Sequence, residues 1–307
     1  MSTVLVTGAS GFLGSALIPA LLSDGLQVIG IDRNKGGFLD RKTLDHKRFR
    51  FISFDITRDF SKVLSGANIH TICHLASLQP GRPGISYQDF YAGNVKTTEN
   101  VVTYAKNASV RAIVYTSTIS LMRPAGAKKC LDENSPVEPD NYYTLTKYIA
   151  EKTLQIGLAG SKSALIVLRF PSLFGKNHLG GLIYTYYDLA KKGADISLFH
   201  QGRPRRNLLY VSDAVDSLRK ALSLHERPEK MSVFVIGSRD SISTFTIARK
   251  MKKLIYSPSR IVLAGKVPGK KFDICIDISK AKRLLDFHPM SVNVGLQCFI
   301  KELGYEL

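Results

Sequence analysis

The chain has no tryptophan, only four cysteines in 307 residues, and far fewer acidic residues (25) than basic ones (43). Cys73, Cys130, Cys275 and Cys298 stand far apart and form neither a CxxC pair nor a cysteine/histidine cluster. That spacing suggests neither a disulfide framework nor a zinc site, so all four are expected to be reduced, mainly structural thiols. No apolar run reaches membrane-spanning length, and the start Met1-Ser2-Thr3-Val4-Leu5-Val6 carries no basic leader or small-residue cleavage site. A cytoplasmic protein without a membrane partner is expected. Internal repeats and low-complexity tracts are absent, which leaves an ordinary globular chain.

The shortage of acid leaves a formal charge of +18, and so a field that favours anionic ligands. The basic residues are dispersed: Arg33, Lys35, Arg41, Lys42, Lys47, Arg48 and Arg50 early, Lys128 and Lys129 midway, then Arg203, Arg205 and Arg206, and finally Lys266, Lys270 and Lys271. No single arm or helix gathers them. They read as a solvated basic surface that attracts an anionic small molecule, with nucleic acid not expected as a partner.

With 44% hydrophobic residues, the chain can bury one substantial core with a smaller region attached. Its first half alternates short apolar runs with amphipathic stretches: Val4–Thr7, Leu13–Leu22, Val28–Asp32, Phe49–Phe54, Ile69–Leu75, Thr97–Ala105 and Ala112–Ser117. A helix is expected over Tyr142–Gly157 and a buried strand over Ala164–Phe170. Strands separated by helices predict βαβ crossovers and a parallel sheet covered on both faces. After Gly175 the pattern breaks up around Gly180-Gly181 and the basic 202–206 loop. Residues 1–175 are therefore expected to form a dinucleotide-binding domain with the catalytic residues. Residues 176–307 are expected to be mainly substrate-binding, with some segments returning to the first domain.

TGASGFLG (7–14) places GxxGxxG between the first strand and the following helix. Glycine there permits a tight turn and lets backbone N–H groups of Gly8, Gly11, Phe12, Leu13 and Gly14 approach a pyrophosphate at the helix N-terminus. The second strand ends at Asp32, about 20 residues on, where an acidic side chain meets the ribose of a bound dinucleotide. Asp32 favours NAD over NADP by repelling a 2′-phosphate. Arg33 follows at once and partly reverses that preference, so NADP stays open.

Within the predicted helix, Tyr143 and Lys147 form YxxxK. Four-residue spacing puts both side chains on one face, where an ammonium favours phenolate and brings tyrosine proton transfer closer to neutral pH. No metal ligand set accompanies them, and none is expected.

These motifs occur in the order TGASGFLG, Asp32, Asp55-Ile56, HLAS (74–77), Asn94, TSTIS (116–120), YxxxK, RFPSLFG (169–175) and RNLLYVSD (206–213). Nearly end to end, the chain resembles the extended short-chain dehydrogenase/reductase family, of the NAD-dependent epimerase/dehydratase type. The resemblance implies a Rossmann-like doubly wound parallel sheet with a smaller C-terminal substrate-binding region, and a homodimer built on helices near 97–106 and 142–157. It implies that Thr118 bonds the reacting substrate oxygen and that Asp55 and Ile56 lie against adenine. Leu75, Ala76 and Ser77 would pass the cofactor phosphates, and Pro171 and its neighbours would border nicotinamide. Asn94 would support the active-site helix or touch cofactor, Ser172 would contact substrate, and Arg206 a nucleotide-sugar diphosphate. Ser117 is the nearest rival to Thr118, and His74 reads as a packed, hydrogen-bonded histidine.

The dehydratases of this type resemble Thr-Asp-Glu where this chain has Thr118-Ile119-Ser120, and the missing acids argue against dehydration. Galactose-type 4-epimerases differ at Gln79, Leu121-Met122 and Ser172. The leading expectation is hydride transfer at a sugar-nucleotide C4, with 4-epimerase ahead of ketoreductase. A dehydrogenase of a steroid-like or other non-nucleotide alcohol, and a non-catalytic dinucleotide sensor, remain as alternatives.

Overall fold

Six of the expected apolar runs become strands of one sheet, β1 (Thr3–Thr7), β2 (Gln27–Asp32), β3 (Phe49–Ser53), β4 (Ile69–His74), β5 (Ala112–Thr118) and β6 (Ala164–Phe170), and a seventh that the sequence reading does not name joins them, β7 (Met231–Val235). Their order across the parallel sheet is β3-β2-β1-β4-β5-β6-β7. The computed structural model describes residues 2–34, 36–81, 83–124, 130–226, 230–265 and 273–306. Lys35, Lys128, Lys129, Lys266, Lys270 and Lys271, part of the basic set above, lie outside the described residues.

β1 pairs in parallel with both β2 and β4, with Val4 opposite Val28 on one side and Thr71 on the other. Sequence order reverses between β1 and β4. At such a switch point the loops leaving the strand C-termini diverge and open a crevice. The loops concerned are those after Thr7 and after His74, the two glycine-loop and HLAS segments picked out from sequence.

α1 (Phe12–Ser23) connects β1 to β2, while α2 (Thr97–Asn107) and α3 (Tyr142–Gly157) pack on the sheet. Val101, Val102 and Ala105 of α2 and Ala150 and Leu154 of α3 share one buried cluster with Ile72, Ile113 and Val167 of the sheet. The two helices come close where Gly157 faces Val102, since a Cβ at 157 would lie 2.6 Å from a Val102 methyl.

Two compact units make up the chain: residues 1–123, 136–169 and 215–234 form the first, and residues 124–135, 170–214 and 235–307 the second. The second has its own core around Phe174, Tyr187, Leu198, Met251 and Phe299. Tyr187 meets Phe299 edge to face at 5.7 Å between ring centroids.

One cysteine expectation is overturned. Cys130 and Cys275 are joined by a disulfide, so the chain does not carry four reduced thiols. Residues 130–131 and 275–276 run parallel with Cys130 directly opposite Cys275, a register that brings together residues 145 apart in sequence. Spacing along the chain could not show that pairing. Cys73 and Cys298 are free; burial of Cys73 in β4 raises its thiol to about 12.

Candidate active site

At the end of β1 the chain turns through Gly8 at φ +68°, where a Cβ would come within 2.8 Å of the Ala76 backbone nitrogen. Gly14, in the first turn of α1, packs so closely beneath this loop that a Cβ would press on the Gly8 carbonyl and lie 2.8 Å from that of Ala9. The loop can close against the helix only without side chains at these positions. Gly11 caps α1 and offers no side chain to its first turn, which includes Phe12 and Leu13. Such an uncapped helix start suits a pyrophosphate.

Beside the loop, Asp32 at the end of β2 accepts hydrogen bonds from Ser10 N (3.1 Å) and Asn34 N (3.3 Å), while Arg33 is exposed. Asp55 is half-buried and turns the next loop by accepting from Thr57 N at 2.9 Å. Ile56 places its side chain in the main core, and its carbonyl accepts from Asn100 at 2.9 Å. Thr7 ties the switch-point loops together: its Oγ1 accepts from both Leu75 N and Ala76 N at 3.2 Å. Gly8 and Gly14 thus shape a close backbone cradle between β1 and α1.

Asn141 sets the start of α3, accepting from Thr144 N (3.0 Å) while Thr144 Oγ1 accepts from Asn141 N (3.2 Å). This capping box fixes the first turn and hence the direction of Tyr143. Gln79 and Thr118, the latter at the end of β5, are the side chains that act on the Tyr143 hydroxyl. Burial pushes its pKa up to about 12, and those two side chains oppose the rise. One turn along, Lys147 is 2% exposed, donates to the Thr116 carbonyl at 2.6 Å, and lies 4.3 Å from the Tyr115 ring centroid. Burial lowers its pKa to about 7, with the carboxylate of Glu151 pulling the other way. Glu151 is itself clamped by Arg169 through bonds of 3.1 and 2.7 Å, both partners buried.

Asn94 sits in the π-helical turn Tyr91–Lys96 that leads into α2. Its Nδ2 donates to Thr146 Oγ1 of α3 at 3.0 Å, and its Oδ1 accepts from Ser77 Oγ (2.9 Å) and Leu78 N (2.7 Å). Ser77 Oγ in turn accepts from Gln79 at 3.2 Å. A hydrogen-bond path therefore runs from Thr146 of α3 through Asn94 and Ser77 to Gln79. His74 is fully buried between Thr7 Oγ1 (2.7 Å) and Thr98 Oγ1 (3.0 Å), the packed role expected of it. Burial, and then the charge of Lys147, lower its pKa to about 3, so it is neutral at physiological pH. Ser117 Oγ is buried with no hydrogen-bond partner among the described residues, whereas Thr118 Oγ1 accepts from Ser120 N at 3.1 Å.

In the first unit, then, the structure brings together Thr118, Tyr143 and Lys147, and separately gathers the glycine loop, Asp32 and the 75–77 segment. Pro171, Ser172 and Arg206 belong to the second unit. Ser172 is exposed at the start of a short strand (172–174) paired with 208–210, and Arg206 lies on strand 205–206, paired antiparallel with 242–243. Sequence reading gave Gln79, Tyr115, Glu151 and Arg169 no role at the site. Only Glu151 left a local signal, being four residues beyond Lys147 on the same helix face.

The sheet order and the glycine cradle define a dinucleotide-binding protein of the Rossmann type. The chain belongs to the NAD dependent epimerase/dehydratase family, whose model matches residues 4–237. It is 28% identical over 301 residues to an uncharacterised UDP-glucose epimerase of Bacillus subtilis, covering 93% of this chain and 92% of that one. A dTDP-4-dehydro-6-deoxy-D-allose reductase of Streptomyces is 22% identical over 312 residues, covering 96% and 94%. Among solved structures, UDP-glucuronic acid 4-epimerase of Bacillus cereus, in complex with UDP-glucuronic acid and NAD, superposes with a TM-score of 0.85 at 25% identity, covering 98% of this chain and 99% of that one. The UDP-glucose 4-epimerase of Thermotoga maritima shares the fold at TM-score 0.87 and 21% identity, covering 98% of each chain.

Proposed function

We propose that this chain is an NAD-dependent sugar-nucleotide 4-epimerase that works in the cytoplasm as a homodimer. The observation that carries the chemistry is Tyr143 one helical turn from Lys147, a lysine buried to 2% exposure whose ammonium is held on the Thr116 carbonyl at the end of β5. Gly8, Gly11, Phe12, Leu13 and Gly14 would hold the pyrophosphate of NAD, Asp32 its adenosine ribose, and Asp55 and Ile56 would border adenine. Bound NAD would supply the acceptor and donor of a C4 hydride.

Tyr143 Oη takes the proton of the sugar C4 hydroxyl as the hydride leaves, and returns it after the ketone has turned over. Gln79 and Thr118 favour the phenolate, and Lys147 favours it by charge. Thr118 also orients the reacting oxygen. Ile119 is buried and Ser120 neutral, so no carboxyl pair stands there for dehydration. In the second unit, Ser172 and Arg206 would contact the sugar and the diphosphate, and Pro171 the nicotinamide. Relatives named as UDP-sugar epimerases, together with the preference of Asp32 for NAD, support epimerisation.

Exposed apolar side chains on α3, Tyr142, Leu145 and Ile156 (73% exposed), support a dimer through this helix. Ketoreduction is the second reading, favoured by the relative that reduces a 4-keto sugar. The two separate by incubating purified protein with UDP-glucose, UDP-galactose and UDP-glucuronic acid without added cofactor and following each sugar by NMR. Interconversion with no net NAD(H) release is the expected result. No conversion, alongside stoichiometric NAD(P)H oxidation with a 4-keto sugar, would overturn the epimerase reading.

A further inference from the structure

The disulfide lies next to the strand that carries Arg206. Residues 275–276 pair with 130–131, and Asp277 N adds one bond to the Leu131 carbonyl at 2.8 Å. Immediately before them, Asp273 Oδ1 accepts from Arg205 N at 2.8 Å, and Ile274 N donates to the Arg205 carbonyl at 3.1 Å. Both backbone polar groups of Arg205 are thus held by the two residues that precede Cys275. Just after it, Ile276 packs against Gly237, where a Cβ would lie 3.0 Å from both its Cδ1 and Asn207 Oδ1. Asn207 follows Arg206 and is buried, its Oδ1 accepting from Ser238 N at 2.8 Å.

The disulfide adds a covalent link to this two-residue ladder. Cys130 and Cys275 are both only partly buried. Burial instead keeps Cys73 from reacting.

We propose that Cys130 and Cys275 are a reversible thiol–disulfide modification site that sets the order of the Arg205–Arg206 strand, and through it the affinity for an anionic diphosphate ligand. The affinity clause rests on the sugar-nucleotide reading above; the clasp itself does not. The reductant is a dithiol. Its thiolate forms a bond to one cysteine Sγ as the Cys130–Cys275 bond breaks, and the released thiolate takes a proton. The second thiolate of the reductant then displaces that cysteine, closing its own disulfide, while the displaced sulfur takes the second proton. Two electrons and two protons pass to the protein, and a disulfide oxidant reverses the change.

The test uses the full wild-type chain, purified under thiol-blocking conditions, mapped for linked peptides, and compared with and without dithiothreitol by amide hydrogen exchange and UDP titration. A Cys130–Cys275 peptide is expected. Reduction should speed exchange at 205–206 and 274–277 and weaken UDP binding on the order of fivefold or more, the lower end of ordinary coupling between sites. Cys130→Ser should copy the reduced state and ignore dithiothreitol, whereas Cys298→Ser should respond as wild type. The clasp is refuted if the two cysteines stay unlinked even after a disulfide oxidant, or if reduction leaves exchange at 205–206 unchanged. Faster exchange with no UDP binding in either state upholds the clasp and counts against the sugar-nucleotide reading. Faster exchange with unchanged UDP affinity refutes the affinity clause alone.

Discussion

Lys147→Met is expected to stabilise the protein while it abolishes turnover. Burial lowers the lysine from its ordinary 10.5 to about 7, so the folded chain holds this proton less tightly than the unfolded chain does. Each pKa unit is worth about 1.4 kcal/mol, so below pH 7 the burial of the cation costs about 5 kcal/mol. Methionine fills a similar volume and carries no charge. Against that gain stand the lost bond to the Thr116 carbonyl and the lost contact with the Tyr115 ring, together about 2–4 kcal/mol. A net gain of about 1–3 kcal/mol, or roughly 2–6 °C in Tm, should appear at pH 6. Between pH 7 and 10.5 the unfolded wild type binds the extra proton, so wild-type stability from this group rises with pH and the variant's advantage shrinks. Thermal melts of both proteins at pH 6 and pH 9, without added cofactor, check this. A variant that melts below wild type at pH 6, or a difference that does not change with pH, would refute the reasoning.

Four further outcomes are expected. Tyr143→Phe should keep dinucleotide binding and lower turnover about 10²–10⁴-fold, the usual scale for a positioned acid/base, as measured where chemistry limits the rate. Asp32→Ala should weaken NAD and raise relative use of NADP, because it removes the ribose acceptor and the repulsion of a 2′-phosphate; titration of both cofactors reads the change. Gly14→Ala should abolish dinucleotide binding and lower Tm, because its Cβ presses on the Gly8 and Ala9 carbonyls rather than on a side chain that can move. Arg169→Met should cost about 3–5 kcal/mol in urea unfolding by leaving Glu151 charged and buried without its partner.

How much of this could be read from sequence follows from the range of the interactions. β1, the glycine loop, α1 and β2 are specified within about 30 neighbouring residues by apolar periodicity and by backbone geometry that glycine allows, and all of them form where expected. Tyr143 and Lys147 share a face because helical spacing alone requires it. Pairings between distant segments were not legible. Asn94 reaches Thr146 because the turn leading into α2 lies against α3. Arg169 meets Glu151 because β6 runs beneath α3, and Cys130 meets Cys275 because two short strands happen to lie in register. The sequence by itself determined the cradle and the Tyr-Lys pair, whose geometry is local. The tertiary structure alone decided how that pair is charged and braced, since burial and long-range contacts set the pKa of Lys147, the hold of Asn94 on Thr146 and the closure of the disulfide.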